Sequence, residues 1–214
     1  NFRISTSSRL RYYMTRNKSL YSGQSIAGVA EVQRKEWEAD RVVQGTDQVI
    51  EEVPVALVYN GISHVVMMVT PCDLDDFALG FSLSEGILNR PDELLSVESN
   101  HHAKGIELHL SILSQRFEAL KQFRRALTGR TGCGLCGVEA LDQAIPVIAP
   151  VRSTMTLAET AVDVAIKQIK EHQTVQRVTG AAHAAAWCNE SGEILLLREA
   201  VSYTHLRAHE TASD

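Results

Sequence analysis

Two β-rich runs meeting at Asn60-Gly61 constrain this chain more than any other feature. Val53-Pro54-Val55-Ala56-Leu57-Val58-Tyr59 precedes the dipeptide, and Ile62-Ser63-His64-Val65-Val66-Met67-Met68-Val69 follows it. A two-residue loop between right-twisted strands needs positive φ at both positions, which Asn and Gly tolerate best, so the sequence predicts a β-hairpin. Thr70-Pro71 closes it. Leu74, Phe77, Ala78 and Phe81 then share one helical face, with acids in the first turn and Gly86 near the stop, which predicts a core-facing helix. Ile106-Glu107-Leu108-His109-Leu110 alternates like a half-buried strand. Leu113 to Leu127 reads as a helix with Lys121, Arg124 and Arg125 toward the end where the dipole favours cations. Residues 49–145 are therefore expected to form a small mixed α+β domain.

Upstream, residues 1–48 mix Ser, Arg, Tyr and Gln without sustained period and read as a loosely ordered arm ending in one short edge element. Downstream, Ile145-Pro146-Val147-Ile148-Ala149-Pro150-Val151 holds two prolines that forbid a helix, and a domain boundary is expected there. Residues 146–199 then open a second α/β unit. Thr156 and Glu159 stand at capping-box spacing before a helix reaching His172. Strand-like Ala184 to Cys188 and Glu193 to Leu197 are joined by turn-forming Asn189-Glu190-Ser191-Gly192.

With 214 residues, 44% of them apolar, the chain is long and apolar enough to bury a core. Against 26 acidic side chains there are only 21 basic ones, a net charge of -5. No protein-wide positive field is available for nucleic acid or an anionic membrane, and no apolar run approaches the length of a spanning helix. The start at Asn1 lacks both Met and a secretory pattern, and reads as a fragment or a misjudged start.

Four cysteines, at 72, 133, 136 and 188, are too sparse for a disulfide framework and indicate a reducing, cytoplasmic setting. Cys133 and Cys136 lie in Gly129-Arg130-Thr131-Gly132-Cys133-Gly134-Leu135-Cys136-Gly137, where four glycines surround two thiols. Such a loop can reorient, and Arg130, with Arg124 and Arg125, favours the thiolate that attacks sulfur. The spacing alone leaves four readings open: a structural zinc half-site, a redox dithiol, a persulfide carrier, or two unrelated thiols. A zinc site would need further ligands from His101, His102, Cys72 or Cys188, none at paired spacing. No metal site is assigned. A redox dithiol normally follows a strand, whereas this pair follows a helix.

These residues resemble the formate dehydrogenase accessory sulfurtransferases, the FdhD family. The resemblance is carried in order by Glu51 to Gly61, Asp76 to Phe81 with Ser84-Glu85-Gly86-Ile87, Gly129 to Gly137, and Thr179-Gly180 with His183-Ala184-Ala185-Ala186. It covers about residues 50–199 and implies a sulfur relay. A cysteine desulfurase passes persulfide sulfur to the protein, which hands it to the molybdenum bis-guanine-dinucleotide cofactor before insertion into apo-formate dehydrogenase. By motif position Cys133 carries the persulfide and Cys136 is its partner. The cofactor is a transient sulfur acceptor, and no permanently bound cofactor is expected. The family fold implies a small α+β domain followed by a cytidine-deaminase-like three-layer α/β/α domain, incomplete here. Deaminase chemistry is not supported, because His183 is followed by Ala184-Ala185 rather than any residue and then Glu. His183 is a candidate cofactor contact beside its alternative as a structural histidine; the remaining contacts are expected in a missing C-terminal segment. A homodimer is compatible with the family, although the sequence specifies no oligomeric state. The contrasting reading is a non-catalytic, zinc-stabilised or chaperone-like module that binds apo-formate dehydrogenase.

After Glu199 the pattern departs from the family. Residues 200–214, including His205 and His209, resemble translated adapter sequence and are expected to be non-native. The truncated second unit should expose Ala184 to Trp187 and Ile194 to Leu197.

Overall fold

The computed structural model describes residues 26–38, 41–126, 156–202 and 206. In chain order the elements are β1 (Val29–Glu38), β2 (Arg41–Ile50), β3 (Val53–Tyr59), β4 (Ile62–Val69), α1 (Leu74–Ser84), β5 (Leu94–His102), β6 (Gly105–Ile112), α2 (Ser114–Ala126), α3 (Glu159–His172), α4 (Thr174–Thr179), β7 (His183–Cys188) and β8 (Ile194–Ala200). The architecture is α+β. A four-stranded sheet ordered β4-β3-β6-β5 accompanies the two-stranded pairs β1-β2 and β7-β8.

The expected hairpin is β3-β4, with Val53 opposite Val69 and Tyr59 opposite Ile62. Asn60 and Gly61 adopt φ of 45° and 83°, the left-handed pair that the two-residue turn requires. Asn60 also reaches across to β6. Its Oδ1 accepts from the Ile112 N–H at 2.9 Å and its Nδ2 donates to the Ile112 carbonyl at 3.0 Å. The side-chain amide thereby extends the β3-β6 pairing beyond the last backbone pair, Tyr59 with Leu110.

Parallel pairing of β3 with β6 sets Val55, Leu57 and Tyr59 beside Ile106, Leu108 and Leu110, all buried. Phe77, Ala78 and Phe81 of α1 complete the same core, with Leu120 from α2. The spacing read from sequence was enough to place that face of α1. Within this core the Tyr59 hydroxyl lies 2.8 Å from Ser82 Oγ, and Ser82 Oγ donates to the Ala78 carbonyl at 2.6 Å. The serine's one proton is committed to Ala78, so the tyrosine is the donor. Burial holds the Tyr59 hydroxyl well above its ordinary pKa and therefore protonated.

Three sequence expectations change, and one strand, β5, had not been read at all. Residues 29–50 are not a loose arm: β1 and β2 are ten residues each and pair along their whole length. One face of the ribbon is the more covered, through Ala30, Val32, Arg34 and Glu36 opposite Val49, Asp47 and Gly45, but its polar residues and glycine interrupt the apolar alternation that would reveal it. The edge strand β5 was hidden for the same reason, since Ser96, Glu98, Asn100 and His102 lie on an exposed edge. Helix α3 begins at Glu159 with Ala158 as its N-cap and no side-chain capping bond, so the Thr156-Glu159 box is not used. Finally, the boundary at 199/200 cuts through β8: Ala200 pairs with His183 and is fully buried.

In the second unit the Asn189-Gly192 turn forms as expected, Asn189 Oδ1 accepting from the N–H groups of Ser191 and Glu193 at 3.1 and 2.9 Å. Of the apolar residues expected to be exposed, Trp187 and Leu195 are, at 44% and 60%. The other residues of both runs are partly covered.

Removing the acceptor for Tyr59 strands a buried hydroxyl. Ser82→Ala is expected to lower the unfolding free energy by about 1–3 kcal/mol, more than Tyr59→Phe, when the two are compared by urea denaturation. An equal or smaller effect of Ser82→Ala would show that the hydroxyl finds another partner.

Candidate functional site

Cys133 and Cys136 lie outside the described residues, as does Arg130. Their nearest described element is α2, which carries 124 and 125 in its last turn and ends at Ala126. The helix-before-thiols order expected from the sequence is therefore present. His183 lies exposed at the first position of β7, after the left-handed Gly180 that stops α4.

What the described residues do assemble is a polar joint between the sheet domain and the β7-β8 hairpin, opposite His183 on the neighbouring strand. Arg198, from β8, reaches the first turn of α1, where its Nε donates to Asp76 Oδ2 at 2.7 Å and a second guanidinium nitrogen bonds the same oxygen. Asp73 Oδ2 lies 3.5 Å from the same Nε. The Val201 N–H donates to Thr70 Oγ1 at 3.3 Å, and the Cys72 thiol points to the Glu199 carbonyl at 3.9 Å. Glu199 turns its carboxylate the other way, accepting from the N–H groups of Val175 and Gln176 at 2.9 and 2.8 Å and from the Thr174 hydroxyl at 3.3 Å. A carboxylate from β8 thus caps α4, supplying the acceptor that Gln173 at the N-cap does not.

The joint is tightly built on its first-unit side. Gly28 has φ of +75°, and a Cβ there would lie 2.7 Å from the Thr70 methyl. Asp73 occupies the left-handed region at φ 48°, a conformation that Asp tolerates better than most residues. In that conformation its side chain makes no cap bond to α1. Sequence reading took Asp73 and Asp76 as first-turn acids and gave Arg198 no partner. Nothing local in the sequence marks a pair separated by 122 positions.

Electrostatics separates the thiols. Burial, reinforced by Asp73 and Glu199 and opposed by Arg198, pushes the Cys72 thiol up to about 11. Cys72 is a packed, protonated group rather than a nucleophile. Asp73 is also raised, by burial first and then Asp76, with Arg198 pulling the other way. Among the described residues no cluster of three or more His, Cys, Asp and Glu side chains is arranged to hold a metal ion. No described helix is long and apolar enough to cross a membrane.

A model of the FdhD/NarQ family matches residues 50–202. The chain belongs to the FdhD/NarQ family. The match takes in the joint, both thiols of the Cys-x-x-Cys motif and Ala200 to Ser202, three residues beyond the limit read from the sequence. The sulfur carrier protein FdhD of Cupriavidus necator is 50% identical over 165 residues, covering 77% of this chain. The chain spans 57% of that family member's length. A crystal structure described as a formate dehydrogenase accessory protein from Desulfotalea psychrophila superposes with a TM-score of 0.63 at 16% identity, over 87% of this chain and 68% of that one. At that identity the likeness supports the fold alone.

Two outcomes follow from the joint. At pH 8, Cys72 should react with iodoacetamide roughly a hundredfold more slowly than an ordinary thiol, because so little of it is thiolate. Peptide mapping of a time course measures this, and labelling at the ordinary rate would refute the burial argument. Asp73 holds its proton more tightly in the folded than in the unfolded chain, so its contribution to stability grows as pH falls through the window between its ordinary and raised values. Asp73→Asn should therefore leave neutral-pH stability within about 0.5 kcal/mol or raise it, whereas Asp76→Asn should cost about 1–2 kcal/mol. Thermal melts at neutral and acid pH distinguish the two.

Proposed function

We propose that this chain is a sulfur carrier that accepts persulfide sulfur at Cys133 and passes it on, with Cys136 as the partner thiol. The supporting observation is the match over residues 50–202, which contains both thiols, together with 50% identity to a protein named as a sulfur carrier. The donor is a cysteine desulfurase, and the cytoplasm is the setting. The recipient is the molybdenum bis-guanine-dinucleotide cofactor, as substrate, on its way to apo-formate dehydrogenase. His183, exposed on β7, is the candidate contact to that cofactor.

Chemically the acceptance step is a sulfurtransferase reaction that balances without an oxidant. The Cys133 thiolate attacks the outer sulfur of the donor's persulfide; one S–S bond forms as the donor's breaks, and the donor departs as a thiolate. In delivery the S–S electron pair stays with Cys133 as thiolate and the terminal sulfur moves as sulfane sulfur to the acceptor, which supplies the electron pair of the new bond and is thereby oxidised by two electrons. Glycines on both sides give the loop the conformational range that collecting sulfur at one place and releasing it at another demands. Arg130 supplies the positive charge that favours thiolate. Neither Cys72 nor Cys188, both half-buried, is flanked in that way.

Incubation of the purified chain with a cysteine desulfurase and cysteine, followed by intact mass measurement, tests the proposal. One added sulfur atom is expected, absent in Cys133→Ala and retained in Cys72→Ala and Cys188→Ala. A wild-type chain that stays bare overturns the reading. So does stoichiometric zinc held through Cys133 and Cys136, which would leave no free thiolate and favour a binding module.

A further inference from the structure

We infer that Gln176 and Glu199 are positioning residues for His183: together they fix the backbone from which that imidazole is presented to the guanine-dinucleotide cofactor. The inference rests on the reading of His183 as a contact to that cofactor. It accounts for one stretch that carries the family resemblance, Thr179-Gly180 with His183, which sulfur chemistry at the cysteines does not use.

Gln176 is the hub of that stretch. Its N–H donates to Glu199 Oε1 at 2.8 Å, its carbonyl accepts from the Gly180 N–H at 2.8 Å, and its side-chain Oε1 accepts from the Ala182 N–H at 2.7 Å. One residue of α4 therefore holds both the left-handed glycine that ends the helix and the residue before His183. Thr179 adds a second tie, donating to the Val175 carbonyl at 2.8 Å and accepting from the Ala181 N–H at 3.3 Å. Ala182 is buried, whereas Gly180, Ala181 and His183 are exposed, so the imidazole is presented outward from a pinned neighbour.

Glu199 closes the circuit. Its buried carboxylate anchors α4, a six-residue helix with too few internal bonds to hold itself in place. The next residue, Ala200, pairs with His183 across the hairpin. Two adjacent residues of β8 thus hold α4 through a side chain and the start of β7 through the backbone. Removing the Gln176 acceptor would leave the buried Ala182 N–H unpaired, and the chain would shift toward water to satisfy it, carrying His183 along. A contact that has to be ordered on binding costs affinity that a pre-ordered one does not.

Calorimetric titration of the purified chain with guanosine diphosphate, the nucleotide and pyrophosphate portion of that cofactor, tests the inference. Gln176→Met should weaken binding about tenfold, whereas Gln176→Glu, which keeps an acceptor oxygen, should stay within about threefold of wild type. Because Gln176 acts through His183, the double variant Gln176→Met with His183→Ala should bind no more weakly than His183→Ala alone, which a merely structural role would not produce. If Gln176→Met does not fold, Glu199→Gln serves instead, weakening binding when His183 is present and adding no loss when it is absent. Wild-type affinity in Gln176→Met, or losses that add fully in the double variant, overturn the inference while leaving the His183 contact in place. A His183→Ala chain that binds like wild type, or a wild-type chain that does not bind, removes both. Sulfur acceptance at Cys133, read separately by intact mass, stands in either case.

Discussion

Helix α1 is the element on which both units lean. Its buried side, Phe77, Ala78 and Phe81, packs into the core with β3 and β6, and its first turn receives Arg198 from the far end of the described chain. Burial of the two phenylalanines is worth several kcal/mol on the usual transfer scale, far more than the partly exposed ion pair at the helix start. The apolar face therefore sets where α1 lies, and the ion pair sets what docks against it. Left-handed Asp73 is the local cost of that arrangement: it turns the chain from Thr70-Pro71 into the helix while giving up its own capping bond.

The same joint explains why the cysteines divide chemically. Cys72 is enclosed beside Asp73 and Glu199, so desolvation and two carboxylates oppose its ionisation and only Arg198 favours it. Cys133 sits in a stretch with Arg130 and four glycines and no acid between Gly129 and Gly137. A thiol that is to carry sulfur needs the second environment and is disabled by the first. Proximity of Cys72 to an arginine is thus no sign of reactivity, because the guanidinium is already committed to Asp76.

Legibility from the sequence followed how local each signal was. Asn60-Gly61 and the Phe77-Phe81 spacing encode their structures within a few residues, and both formed where they were read. The family resemblance needed four stretches in order, from Glu51 to Ala186, because the Cys-x-x-Cys spacing alone left four readings open. The β1-β2 ribbon was illegible because its more covered face carries Arg34, Glu36, Gly45 and Asp47 among its few apolar residues, so its pairing is written in backbone hydrogen bonds rather than in hydrophobic period. Thr156 and Glu159 matched a capping pattern, yet α3 starts at Glu159 itself, two residues later than that pattern requires. For the joint the signal was absent in principle: Arg198, Asp76 and Thr70 are ordinary surface-type residues until the fold brings them together.

Strand geometry gives the joint its economy. Successive side chains of β8 leave opposite faces, so Arg198 and Glu199, although adjacent and opposite in charge, cannot neutralise each other. Arg198 is directed to α1 and Glu199 to the N-terminus of α4. Each charge finds a partner fixed by another element, Asp76 for one and a row of backbone N–H groups for the other. Had the order been reversed, the carboxylate would face Asp73 and Asp76 and the guanidinium would face the positive end of a helix, two repulsive contacts in place of two attractive ones. The dipeptide's order, together with the buried Ala200 that follows it, therefore specifies which face of the hairpin meets the first unit and which meets the helix pair.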